Sequence, residues 1–192
     1  MFFFSKKSAL SLIGAALLLV VVSFVVSGWA RPVFSNGLVK ETVSELPFRL
    51  MIPKINVDAA IERVGLTEKG SMDAPKNPGN VGWFDLGSRP GEKGSSVIDG
   101  HSGWINRAPA VFDDLYKLNK GDKLYVQDEK GLVTTFVVHG VRIYGEHEDA
   151  SNIFDSKDGK AHLNLITCEG IWDKISQKYS GRLVIFSDKE VK

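Results

Sequence analysis

Lys123-Leu124-Tyr125-Val126-Gln127, then Asp128-Glu129-Lys130-Gly131, then Leu132-Val133-Thr134-Thr135-Phe136-Val137-Val138: two alternating, β-branched runs flank a polar tetrad that ends in glycine. That pattern predicts a β-hairpin. Leu132, Thr134, Phe136 and Val138 share one face by alternation, and Val133, Thr135, Val137 and His139 share the other. The second run reaches Ile143.

The same short extended units recur on both sides of the hairpin. Upstream lie Phe48 to Ile52, stopped by Pro53, and Ile55 to Ile61. Val81-Gly82-Trp83-Phe84 follows a segment where Pro75, Pro78 and Gly79 exclude helix, and its Trp83 is expected to pack on the core. Ser95 to Ile98 leads into Asp99-Gly100-His101. Between that unit and the hairpin, Pro109 suits a helix start, and Phe112 and Leu115 are spaced i, i+3. Downstream, Gly145 to Lys160 is polar and acidic and reads as a long loop or a short helix plus loops. Leu163-Asn164-Leu165-Ile166-Thr167-Cys168 is a strand that ends on the cysteine, Glu169 to Gly181 is a loop, and Arg182 to Ser187 is a last strand. Seven or eight short strands with little helix predict a mainly β fold, a small closed or nearly closed barrel.

The 192 residues, less an apolar N-terminal segment, leave room for one domain of roughly 150 residues. A net charge of +1 gives no basic surface for nucleic acid and no acidic tail. Lys6 and Lys7 precede an uncharged stretch from Ser8 to Ala30 that is long enough to span a bilayer as a helix, with Trp29 at its far end. Residues 8–30 are therefore expected to form a transmembrane anchor and 31–45 a linker, with residues 46–192 as the domain outside the cytoplasm. A cleaved signal peptide, with small residues at Gly28 and Ala30, is the rival reading, but its apolar core is usually shorter.

Cys168 is the only cysteine, so it forms no intramolecular disulfide. An inert buried thiol is the plain alternative to a reactive one. A cysteine becomes a nucleophile beside a cation or a proton-accepting imidazole. Of the four histidines, His101 follows an apolar strand and a glycine, where a side chain projects at a strand end. His139 lies in strand alternation, His147 in the acidic loop, and His162 just before the cysteine strand. Arg182 supplies a guanidinium suited to a substrate carbonyl or oxyanion. Thr167 is stiff at χ1 and is taken as a substrate-binding position beside the cysteine. No zinc-type spacing of Cys and His is present, and the acidic loop, open to Ca²⁺ through oxygen ligands, lacks EF-hand spacing.

Leu165-Ile166-Thr167-Cys168, with Gly100-His101 upstream and Arg182 opening the last strand, resembles the sortases, the cysteine transpeptidases of bacterial cell surfaces. The resemblance runs from Phe48 to Ser187 and includes Ile52-Pro53-Lys54-Ile55, Gly82-Trp83-Phe84, Pro90-Gly91-Glu92 and Gly121-Asp122. It implies an eight-stranded sortase β-barrel behind a bacterial membrane anchor. It implies Cys168 as nucleophile, His101 as general acid and base, and Arg182 as stabiliser of substrate and oxyanion. It implies an LPxTG-type sorting signal on a secreted protein, cut between Thr and Gly through a thioacyl-enzyme. The acyl group then passes to an amine of a peptidoglycan precursor or a pilin lysine, and no cofactor is needed. Asn164 stands where the family's motif usually begins with threonine. The Gly-Trp-Phe and Pro-Gly-Glu segments, with no long C-terminal extension, look like the single-anchor housekeeping or class D/E/F types rather than the pilin-assembling type. Two other functions are open: an anchored β-barrel binding module without catalysis, which needs no reactive thiol, and a purely hydrolytic cysteine peptidase, which uses the same residues.

Overall fold

A computed structural model describes residues 46–103, 108–173, 175 and 178–191. The anchor and linker expected over 8–30 and 31–45 lie outside these residues. Among the described residues no helix is long and apolar enough to cross a membrane.

Eight strands close into a barrel: β1 (Pro47–Ile52), β2 (Val57–Val64), β3 (Val81–Phe84), β4 (Gly94–Gly100), β5 (Lys123–Asp128), β6 (Val133–Gly145), β7 (Ala161–Asp173) and β8 (Lys178–Lys189). Around the barrel the order is β1-β2-β3-β4-β7-β8-β6-β5, and β5 returns to β1. The pairs β2–β3 and β4–β7 are parallel, and the other pairs are antiparallel. Closure leaves no edge strand in the barrel. The described helical pieces are short 3-10 turns, at Pro53–Ile55, Leu115–Lys117 and Ser151–Ile153. The turn after β1 starts on Pro53, and Asn56 closes it at φ 54, a left-handed position that asparagine tolerates.

The predicted hairpin is β5–β6, with Tyr125 opposite Thr135 and Leu124 opposite Phe136. Phe136 and Val138 point into the barrel core, as alternation requires. Leu132 does not join them. It sits in the turn, 61% exposed, because its N–H donates to the Asp128 side chain in a tight Asx-type turn. The helical turn expected from Pro109 starts later, at Leu115, with Phe112 and Leu115 both buried.

Inward-facing Leu50, Ile52, Trp83, Ile98, Leu163, Leu165, Leu183 and Ile185 fill the barrel with the hairpin residues. A second cluster lies on the outer face of β4, β7, β8 and β6, where Val97, Ile166, Val184 and Tyr144 pack with Ile153. The acidic segment after β6 covers that face. Asn164 holds it there, donating through Nδ2 to the Ile153 carbonyl at 2.6 Å. A threonine hydroxyl is too short to reproduce an amide's reach, so the departure at 164 is tied to how this chain anchors its β6–β7 connection.

The loop expected from Glu169 to Gly181 is largely strand. β7 runs on to Asp173 and β8 begins at Lys178, with Trp172 opposite Tyr179 and a bulge between Glu169 and Trp172. Gly170 takes φ 92 at that irregularity, and a Cβ there would sit 2.3 Å from the Ser180 hydroxyl. The Glu-Gly pair therefore reads as a turn while serving as a bulge. The Trp172 and Tyr179 rings meet edge to face at 5.0 Å.

Candidate active site

Parallel pairing aligns β4 with β7 from Gly94–Ala161 to Asp99–Ile166. Two more steps at the same offset bring His101 abreast of Cys168. Two hydrogen bonds hold that alignment beyond the end of β4. The Thr167 hydroxyl donates to the Gly100 carbonyl at 2.7 Å, and the Ser102 hydroxyl donates to the Cys168 carbonyl at 2.7 Å. On the other side Cys168 is the direct antiparallel partner of Arg182. Imidazole, thiol and guanidinium are thus carried by three adjacent strands, each about 4.8 Å from the next. His101 follows the last residue of β4, as expected, whereas Cys168 and Arg182 lie inside their strands because both strands extend past them.

The backbone around His101 is tightly specified. Its carbonyl accepts from Phe112 N–H at 2.9 Å. A Cβ on Gly100 would come within 2.4 Å of the buried Phe112 ring and 2.8 Å of Val111. Gly100→Ala is therefore expected to cost about 1–3 kcal/mol in chemical denaturation and to lower activity by displacing His101. The His101 ring bonds through Nε2 to the Pro75 carbonyl at 2.8 Å. A carbonyl only accepts, so in this geometry Nε2 carries a proton.

Glu62 on β2 fixes the loop that presents Pro75. Its carboxylate accepts from Lys76 N–H at 2.9 Å, Asn77 N–H at 3.4 Å and the Asn80 amide at 2.8 Å. Burial works against its ionised form, but these bonds outweigh it and hold the carboxyl below the usual carboxylate range. Sequence reading did not single out Glu62, since a lone acid in a strand carries no signal of a loop 14 residues away.

Burial raises the Cys168 thiol above its ordinary value. Arg182 opposes that rise and Asp99 adds to it. Asp99 stands two residues before His101 and shares its alternating face. It was missed in the sequence because it falls at the end of an apolar run. Its carboxyl is pushed up to about 7, by burial first, against a bond from the Gly100 backbone and the charge of Arg182.

The sign of both effects is testable with Asp99→Asn. Above neutral pH an ionised Asp99 disfavours the thiolate, so the substitution lowers the Cys168 pKa and moves pH-dependent thiol alkylation toward acid. Stability moves too. The folded state holds the Asp99 proton more tightly than the unfolded chain does, so the contribution of Asp99 to stability falls as pH rises from about 4 to about 7. Melting curves across that window are expected to show the wild type losing stability relative to Asp99→Asn as pH rises.

A cavity of 640 Å³ opens on the face of β7 opposite the Cys168 side chain, and His101, Cys168 and Arg182 do not line it. Thr167 and Glu169, either side of Cys168, line it with Ser102, Gly103, Phe112 and Tyr179. Thr167 is buried, with its hydroxyl engaged by Gly100, so it shapes the wall and ties β7 to β4. The acids of the 145–160 loop are bound within the protein. Glu148 pairs with Arg142, Asp149 accepts from Ser151 N–H, Asp155 pairs with Lys157, and Asp158 pairs with His162. Among the described residues, metal-capable side chains gather in threes only at His139, His162 and Asp188, away from a Ca²⁺-type oxygen cage.

The sequence model of the Sortase domain family matches residues 50–190. No curated protein matches the chain by sequence. Among solved structures, sortase C-1 from Actinomyces oris superposes with a TM-score of 0.59 at 27% identity, over 75% of this chain and 73% of that one. A lid mutant of sortase A from Corynebacterium diphtheriae gives 0.61 at 20% identity, over 80% and 75%. A Clostridium perfringens sortase D5 transpeptidase gives 0.57 at 19%, over 76% and 79%. The last two show likeness of fold alone. With the family match covering most of the chain and the barrel in place, the chain belongs to the sortase family and is a cysteine transpeptidase.

Proposed function

We propose that this sortase cuts an LPxTG-type sorting signal between Thr and Gly and joins the new Thr carboxyl to an amine. The observation that carries the reading is the order His101, Cys168, Arg182, set side by side by the β4–β7 and β7–β8 registers. In the resting enzyme burial favours the neutral thiol. His101 takes the proton as Cys168 Sγ attacks the Thr carbonyl carbon. Arg182, across from the cysteine, stabilises the oxyanion. Collapse of the tetrahedral species breaks the Thr–Gly C–N bond, and the imidazolium returns its proton to the departing glycine amine. An incoming amine then attacks the thioester, passes a proton to His101, and expels the thiolate, which regains that proton.

The acceptor in this reading is a peptidoglycan-precursor amine or a pilin lysine, and the substrates are secreted proteins with C-terminal sorting signals. Residues 8–30 hold the enzyme in a bacterial membrane by one span with the domain outside. The Gly82-Trp83-Phe84 and Pro90-Gly91-Glu92 segments support a single-anchor type. The chemistry draws on side chains alone and calls for no cofactor.

The test supplies an LPxTG-type peptide with and without an added amine, such as triglycine. A ligated product in the amine reaction supports transfer. Cleavage that yields only free acid at every amine concentration supports the purely hydrolytic alternative. No cleavage, with a thiol inert to mild alkylation, supports a binding module.

A further inference from the structure

We propose that His139, His162 and Asp188 form a binding site for a divalent transition-metal ion of the Zn²⁺ type, on the barrel wall remote from Cys168. The three come from β6, β7 and β8. His162 and Asp188 are direct cross-strand partners. A bulge between Val138 and Gly140 takes His139 out of the β6–β8 ladder, and its ring reaches the same carboxylate. Bulges commonly re-aim a side chain in this way.

The distances converge on one oxygen, Asp188 Oδ1. His162 Nε2 lies 2.9 Å from Asp158 Oδ1, and His162 Nδ1 lies 2.7 Å from Asp188 Oδ1. His139 Nε2 lies 3.3 Å from that same Asp188 oxygen. A carboxylate oxygen only accepts. A neutral His162 that donates Nε2–H to Asp158 therefore turns a lone pair, not a proton, toward Asp188. Either an extra proton or a cation must sit among these atoms, which all lie within 4.8 Å of one another.

Two neutral imidazoles and one carboxylate are a ligand set for Zn²⁺ and its neighbours rather than for Ca²⁺ or Mg²⁺. Tetrahedral donors about 2.0–2.1 Å from zinc are roughly 3.3 Å apart. The His139–Asp188 pair already has that spacing, the His162–Asp188 pair at 2.7 Å needs to open by about 0.6 Å, and the two histidine nitrogens lie within 4.8 Å of each other. Asp158 is the outer carboxylate that fixes the tautomer and orientation of a metal-bound histidine. Asp158 is itself held in place by the Lys160 N–H, which donates to the same Oδ1 at 2.9 Å. His162 is 13% exposed and Asp188 37% exposed, which leaves a side open for a water as fourth ligand.

The site lies six residues from Cys168 along β7, about 20 Å away, so the ion takes no part in acyl transfer. It clamps three consecutive strands of the barrel, β6, β8 and β7, at the far end from the chemistry.

The full-length chain carrying Cys168→Ala, which removes the competing thiol, is titrated with Zn²⁺ and with Co²⁺. One ion is expected to bind per chain, with a melting temperature that rises with Zn²⁺ and not with equal Mg²⁺. Co²⁺ is expected to show the visible absorption of a four-coordinate centre. His139→Ala changes an exposed bulge residue and keeps the fold, and it is expected to weaken binding at least about 10-fold and remove the Co²⁺ band. Asp158→Asn should weaken binding by about 10–100-fold. Absence of Zn²⁺ binding, or binding of equal strength in His139→Ala, would overturn the site.

Discussion

Cys168→Ala in the full-length chain is expected to abolish cleavage of a sorting-signal peptide, a fall on the order of 10⁴-fold or more, with the fold intact. The size follows from chemistry: no other thiol exists in the chain to form a thioester. The intact fold follows from packing. Cys168 is partly exposed on the outer side of β7, and the core at this level is made by Leu165 and Leu183. Loss of one sulfur atom there falls within the ordinary range of surface changes, about 0.5 kcal/mol. Both backbone ties at this position, from Ser102 and within the β7–β8 ladder, involve main-chain atoms that alanine keeps. Peptide cleavage assayed beside thermal melting separates the two quantities. An alanine variant that still cut the peptide at the wild-type rate would remove Cys168 from the mechanism.

Arg182→Ala is expected to lower kcat/KM by about 10²–10³-fold, equivalent to roughly 3–4 kcal/mol of transition-state stabilisation. Arg182→Lys should recover little of that, since an ammonium cannot copy the planar fork of donors. The guanidinium is exposed and anchored by an Nη1 donation to the Gly181 carbonyl at 2.9 Å, so stability is expected to change little. The same substitution has a second readout. Arg182 lowers the Cys168 pKa while Asp99 raises it. Thiol alkylation profiles are therefore expected to shift toward alkali in Arg182→Ala and toward acid in Asp99→Asn. Shifts in the same direction would contradict the electrostatic arrangement described for the site.

The two catalytic strands show how far local pattern reaches. The β5–β6 hairpin is legible because its alternation and its turn lie within 16 residues, from Lys123 to Val138. The β4–β7 pairing joins residues 67 apart in parallel, with no turn chemistry to announce it. What sequence does record is the consequence: a histidine after one apolar strand and a cysteine on another. Asp99 and Glu62 were invisible for a related reason. Each acts across strands, on a thiol or on a loop, and a single carboxylate in a strand carries no spacing of its own. The extension of β7 and β8 past the cysteine was hidden by Gly170, whose bulge has the composition of a turn. Asn164 is the opposite case. It stood out as a departure from the family's motif, and its buried bond to the Ile153 carbonyl gives it a structural task in this chain.

The most direct measurement is intact-mass analysis of the wild-type enzyme mixed with an LPxTG-type peptide and no added amine, followed by proteolysis to locate the adduct. The expected result is a hydroxylamine-sensitive acyl group of the LPxT fragment on Cys168, absent from Cys168→Ala. An enzyme that cleaves the peptide without ever carrying the fragment, or that carries it on another residue, would contradict covalent catalysis by Cys168.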